Sequence, residues 1–176
     1  NYPNALSRGS FATYFFNSAF VALSVMMGNL LFCSLAGYGL AKYRFRSREF
    51  CFLLILSTLM LPLEIMLVPT YLVVRQLGLV NNYGGLIIPL LVDAFGIFLM
   101  RQAIDSVPDE LLEAARLDGA GVIRTLLRII GPLVRGPMAA LVLFIFLMNW
   151  DSHLWPLLVA SDDEHRTLPV GLAAMQ

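Results

Sequence analysis

Two acids in apolar surroundings are the first candidates for chemistry. Glu64 lies in Leu61-Pro62-Leu63-Glu64-Ile65-Met66-Leu67, and Asp93 in Leu90-Leu91-Val92-Asp93-Ala94-Phe95. An ionisable group inside a long apolar stretch is costly and is a functional candidate by default. Either carboxylate could bond a solute hydroxyl or handle a proton or cation. Either could equally bond backbone, such as that freed by Pro62, or lie near an outer interface. The remaining inventory is thin. No Gly-x-x-x-x-Gly-Lys-Ser/Thr occurs, so the usual phosphate cradle is missing from the sequence. No Cys/His group has metal-ligand spacing, and His153 and His165 read as separate surface histidines. Cys33 and Cys51 sit in apolar stretches and read as buried free thiols. No nucleophile stands with a base. The expectation is a chain that is not itself an enzyme, holds no metal or cofactor, and binds no nucleic acid.

The elements that must carry these residues are membrane helices. The chain is 59% hydrophobic and 14% charged, where soluble domains carry about a quarter charged residues. Apolar stretches alternate with short charged ones, the pattern of a polytopic membrane protein. Four spans are expected, at about 15–41, 50–74, 84–100 and 137–155. The first is long enough to cross ~30 Å of hydrocarbon. Its Cys33, Gly37 and Ala41 share a face on which another helix can approach closely. Pro62 and Pro69 each remove a backbone bond from the second and bend it.

Lys and Arg set the orientation. Lys42, Arg44, Arg46, Arg48, Arg101, Arg116, Arg124, Arg128 and Arg135 fall on one side, and Arg8, Arg75 and Arg166 on the other. The first set is therefore cytoplasmic. The polar start, the 75–83 loop and the tail after Pro156 face outward. Trp150 and Trp155 fall at the outer end of the fourth span, where an aromatic belt is expected.

The cytoplasmic stretch between the third and fourth spans is the most informative. Ser106-Val107-Pro108-Asp109 reads as a helix start, with Ser106 capping and Asp109 answering it. The helix runs from Glu110 to Asp118 and stops at Gly119. Leu111, Leu112 and Ala115 lie on one side, and Glu113 and Arg116 on another. A second helix places Ile123, Leu126, Leu127 and Ile130 on one face and ends at Gly131-Pro132. By periodicity alone, the first helix is a docking element or a plain surface helix.

Glu113-Ala114-Ala115-Arg116-Leu117-Asp118-Gly119-Ala120, followed by Ile130-Gly131-Pro132, resembles the EAA signature of ABC importer permeases. Three stretches are similar to the carbohydrate branch, relatives of the smaller maltose permease subunit. They are the segments 94–102, 154–157 (Leu-Trp-Pro-Leu) and 167–172 (Thr-Leu-Pro-Val-Gly-Leu). Leu40-Ala41-Lys42-Tyr43-Arg44-Phe45 is similar to that family's basic first loop. The resemblance covers nearly the whole chain. Gly131 stands where the family usually has Leu, Asp93 where it has a small or uncharged residue, and Asp151-Ser152-His153 replaces a stretch like Asn-Asp-Phe.

The resemblance implies an all-α, type I importer permease fold, with about four of six spans present in a single transmembrane domain over 1–176. It also implies a cytoplasmic coupling segment over 105–132. By that comparison the chain reads as a fragment without the first and last spans. The ATPase-coupling residues would be Glu113, Ala114, Ala115, Asp118, Gly119, Ala120 and Pro132. Glu64, Asp93 and Asp151 would be candidates for the translocation path. The implied partners are cytoplasmic ABC ATPase subunits, a second permease subunit, an extracytoplasmic solute-binding protein and the lipid bilayer. The implied location is a bacterial or archaeal plasma membrane, with 42–49 and 101–135 cytoplasmic. The implied solute is a sugar. Rivals are a permease for a phosphorylated polyol or peptide, an ion-coupled transporter using Glu64 and Asp93, and a membrane scaffold.

Overall fold

A computed structural model of the protein describes residues 10–174, and among them every regular element is a helix. The expected placements of 1–9, Arg8 included, lie outside the described residues, as do positions 175 and 176. Helix α1 is Ser10–Lys42, α2 Arg48–Thr58, α3 Leu63–Gln76, and α4 Tyr83–Leu90, its last turn 3-10. Helix α5 is Ala94–Asp105, α6 Asp109–Leu117, α7 Val122–Leu133, α8 Arg135–Trp150, α9 Leu154–Val159 and α10 Leu168–Ala173.

Among the described residues, helix α1 alone is long and apolar enough to cross a membrane. Up to three crossings exist if α4 with α5, and α7 with α8, each count as one bent span. The stretch expected as a second span is two helices of 11 and 14 residues. Pro62 does not bend a continuous helix; it starts α3, with φ −58° and ψ 137°. A proline disfavours αR geometry in the residue before it. The chain closes α2 first with tight turns, Met60 N donating to Ser57 O and Leu61 N to Thr58 O. The third expected span is interrupted at 91–93, between α4 and α5, and its second helix continues past Arg101 to Asp105.

Two compact units are present, and α1 contributes to both. The unit drawn from 27–61 and 92–143 is built on close approach of α1 and α5. A Cβ on Gly37 would lie 2.9 Å from the Arg101 amide nitrogen, and one on Gly96 2.9 Å from Cys33 Sγ. The small-residue face read from the sequence is this contact.

The other unit draws on 1–26, 62–91 and 144–176. The Asn17 side chain donates to Glu164 O at 2.7 Å and Arg166 O at 2.9 Å, and accepts from Tyr83 Oη at 2.7 Å. Leu168 N donates to Ser18 Oγ. Asn81, at φ 55°, donates from its amide to Val159 O and accepts from Ser161 N. These bonds pin the segment 159–168. Trp155 was expected in an aromatic belt, but it is only 5% exposed. The chain leaves α8 at Trp150 and turns through 151–153, which tucks Trp155 inward on α9.

Candidate functional site

The segment expected to couple, 105–132, lies within the first unit, and its geometry starts at the last residue of α1. Lys42 Nζ donates to Val107 O at 2.6 Å, to Asp109 Oδ1 at 2.7 Å and, more weakly, to Asp105 O at 3.4 Å. Its side chain is 7% exposed while that of Asp109 is 67% exposed. A cation at the end of α1 and an anion in the first turn of α6 each complement their own helix dipole. The hydrogen-bonded Lys42 ammonium holds the Asp109 carboxyl below the usual carboxylate range.

Helix α6 differs from the sequence expectation at its start. Its N-cap is Pro108, with no side-chain cap bond, and Ser106 Oγ donates backward to Ala103 O. Ser106 thus finishes α5. Lys42 instead occupies the Val107 carbonyl in the joint between α5 and α6. The end of α6 is as expected. Ala120 N donates to Ala115 O at 2.9 Å and Gly119 N to Arg116 O at 3.0 Å, with Gly119 at φ 74°. These paired bonds form a Schellman stop, which requires a left-handed residue.

Leu112 and Ala115 are buried, whereas Glu113, Ala114, Asp118 and Gly119 are exposed and Ala120 is half-buried. Leu111, read on the packed side, is 43% exposed, and Leu117 stands out at 89%. Glu113 lines a cleft of about 640 Å³ with Lys42, Tyr43, Arg44, Asp109, Leu112 and Arg116. The structure therefore collects the first basic loop and the Glu113 flank at one site. An open cleft edged by both charge signs, beside an exposed leucine, can receive a protein surface by shape and ion pairing.

In α7, Leu126 and Ile130 are buried while Ile123 and Leu127 are exposed, so only part of the expected face packs. Gly131-Pro132 does not break α7. The helix widens to a π turn over Leu126–Ile130, with Gly131 N donating to Leu126 O. That wider turn accommodates Pro132, which has no N–H, and α7 runs on to Leu133. The corner comes at Val134, where α8 departs at 95°. A Cβ on Gly131 would already sit 3.0 Å from Leu126 O.

The three path candidates have different settings. Asp93 is half-buried and caps α5, its Oδ2 accepting from Gly96 N at 2.9 Å. Glu64 is exposed in the first turn of α3. Asp151 is exposed just after α8. His165 does not stand alone. Its Nδ1 lies 2.8 Å from Asp162 Oδ2, and Asp162, Glu164 and His165 bring ligand atoms within 4.8 Å of one another.

Sequence reasoning misses three residues. Lys42 enters it for orientation and as part of a basic loop, not as a contact. Arg101 enters it among the charges that set orientation, yet it is buried, donates to Glu49 Oε1 and stacks on Phe52. Asn17 does not enter it, although an amide inside an apolar run signals a buried polar bond.

A family profile described as binding-protein-dependent transport system inner membrane component matches residues 30–175. The chain is 39% identical to the sn-glycerol-3-phosphate transport system permease protein UgpE of Rhizobium meliloti, over 99% of this chain and 64% of that protein. It is 38% identical to the arabinooligosaccharides transport system permease protein AraQ of Halalkalibacterium halodurans, over 95% of this chain and 60% of that one. A crystal structure of a bacterial ABC transporter involved in import of the acidic polysaccharide alginate matches with a TM-score of 0.86 and 28% identity. That match covers 98% of this chain and 60% of the other. The chain belongs to the family of binding-protein-dependent transport system inner membrane components. The likeness to the solved structure gives it the all-helical permease fold. The chain spans 60–64% of the length of these relatives.

Proposed function

We propose that the chain is the membrane-spanning part of a permease subunit in an ATP-driven, binding-protein-dependent importer for a carbohydrate. Its sequence 1–176 forms one multi-pass transmembrane domain, with 42–49 and 101–135 on the cytoplasmic side of a bacterial or archaeal plasma membrane. Segment 105–132 couples it to a separate ABC ATPase. Glu113 supplies the charged contact, Ala114 and Ala115 permit close approach, and Asp118, Gly119, Ala120 and Pro132 shape the turns that follow. A second permease subunit completes the path, and a solute-binding protein delivers to the outer face.

The observation that carries this reading is the presentation of α6. In a member of this family, the Glu-Ala-Ala helix has its glutamate exposed, its Leu112 and Ala115 buried, and its end fixed at Gly119. Such a helix can take a partner's push and pass it on.

The relatives favour a hydroxyl-rich solute: an arabinooligosaccharide and alginate on one hand, and sn-glycerol 3-phosphate on the other. The glycerol phosphate relatives, 37–40% identical over 99% of the chain in several bacteria, make a phosphorylated polyol the second reading. Glu64 and Asp151 are proposed to border the path. Asp93, whose Oδ2 caps α5, would bond solute through its other oxygen.

The test is purification of the full-length subunit with its associated proteins, followed by solute-stimulated ATP hydrolysis and uptake. Glu113→Lys should insert normally yet abolish uptake. Uptake that survives the change would sink the coupling assignment. Uptake with no ATPase subunit recovered would instead favour the ion-coupled rival. Stimulation by sn-glycerol 3-phosphate but not by oligosaccharides would select the second reading.

A further inference from the structure

We infer that Lys42 is a positioning residue that ties the joint ahead of the coupling helix to the end of the first spanning helix, so that displacement of α6 is delivered to α1. The inference rests on the coupling role proposed for α6 and adds the route by which motion leaves it. Lys42 is the last residue of α1. Its ammonium reaches past its own helix end and bonds Val107 O, Asp109 Oδ1 and Asp105 O, which bracket the whole connection between α5 and α6. That connection is three residues, 106–108, and contains Pro108. Such a stiff, short joint held at both ends moves as a piece.

The contributions of the three bonds are unequal. Asp109 is largely exposed, so its ion pair is screened and weak. The Val107 bond is different. Val107 is 5% exposed, and the Lys42 side chain is 7% exposed. Removing the donor leaves that carbonyl without this partner in a place water reaches poorly. An arginine in place of Lys42 could still donate to it, whereas a methionine there could only fill the space of the stem.

A contact needed only for folding would change the amount of assembled transporter, not the solute moved per ATP. The experiment therefore reads that ratio, in proteoliposomes holding the full-length subunit with its partners. Lys42→Met, Lys42→Arg and Glu113→Lys are compared with the parent. Loss of a charge-assisted bond at the joint should lower the ratio on the order of tenfold in Lys42→Met. Lys42→Arg should recover most of it. An unchanged ratio in Lys42→Met, alongside lost uptake in Glu113→Lys, overturns this inference and leaves the coupling helix standing. Normal uptake in both variants overturns the coupling role as well. If Lys42→Met does not assemble, Lys42→Gln decides. Its shorter, neutral side chain keeps a polar end but stops short of where the ammonium meets the Val107 carbonyl, and a ratio lowered several-fold supports the joint. A ratio equal to the parent's overturns it.

Discussion

The Arg101 guanidinium carbon lies 3.7 Å from the centre of the Phe52 ring, and the same group donates from Nη2 to Glu49 Oε1 at 2.7 Å. A buried cation on α5 is thus held from α2 by a ring below and a carboxylate at its edge. Both contacts suit a flat, delocalised cation. Arg101 also holds the Glu49 carboxyl below its ordinary range, with Arg48 adding a smaller pull.

Arg101→Met should therefore lower the stability of the purified subunit through loss of the desolvated cation–π contact, by about 1–2 kcal/mol. Arg101→Lys should recover only part of this, since an ammonium cannot stack. Glu49→Gln should matter less, because its carboxylate is largely exposed. Thermal unfolding in detergent ranks the three. An Arg101→Lys variant as stable as the parent would remove the stacking argument.

Much of this is legible in the sequence, and the reasons differ by residue. Gly119 is legible because a left-handed helix stop demands a residue without a Cβ. Gly37 is legible because small residues at four-residue spacing mark close helix contacts. Lys42 is not, because a basic residue ending a membrane helix satisfies the charge rule whether or not it grips a distant carbonyl. Ser106 misleads because a serine three residues before an acid fits a capping box; the acceptor its hydroxyl finds is decided by the preceding helix. Gly131-Pro132 misleads because a π turn, set by tertiary packing, removes the clash that a proline makes in a regular helix.

The α1–α5 contact gives an internal control. Gly37→Ala forces a Cβ to 2.9 Å from backbone and from Met100 Cβ, where little can yield. Overpacking of this kind costs about 1–3 kcal/mol. Gly39, two residues on in the same helix, has nothing within 4 Å of a Cβ. Gly39→Ala should be neutral or stabilising by up to about 1 kcal/mol. The unfolding midpoint should fall in Gly37→Ala and hold or rise in Gly39→Ala. A destabilising Gly39→Ala equal to Gly37→Ala would mean that helix approach is not what the glycines provide.

The Lys42 joint also has a pH signature. Asp109 titrates below the ordinary range because Lys42 is bonded to it. A carboxyl depressed in the folded state contributes above its unfolded pKa, and that contribution disappears as pH falls through the folded pKa. Amide exchange in α6 should therefore be insensitive to pH, after correction for intrinsic rates, from about pH 8 down to about pH 5. Added opening should begin only below the ordinary Asp range, and Asp109→Asn should abolish that acid limb. Opening that sets in near neutrality would point to another group.

The last prediction concerns the segment 161–168. Asn17 directs both amide hydrogens to the Glu164 and Arg166 carbonyls, and its own oxygen takes the Tyr83 hydroxyl. Asn17 is 1% exposed, so its own bonds have little competition from water. Asn17→Leu would remove the partner of all three groups, at about 1–3 kcal/mol for any that water then fails to reach. Asn17→Asp is the sharper probe. It keeps the shape and the acceptor for Tyr83 but turns two donors into a carboxylate facing two carbonyls. Asn17→Asp should therefore release 161–168 at least as fully as Asn17→Leu, despite being nearly isosteric. Limited proteolysis and amide exchange of that segment would read the release, while protection of α6 should stay at the parent level. If Asn17→Asp kept the loop protected, the two carbonyl bonds would not be what holds it.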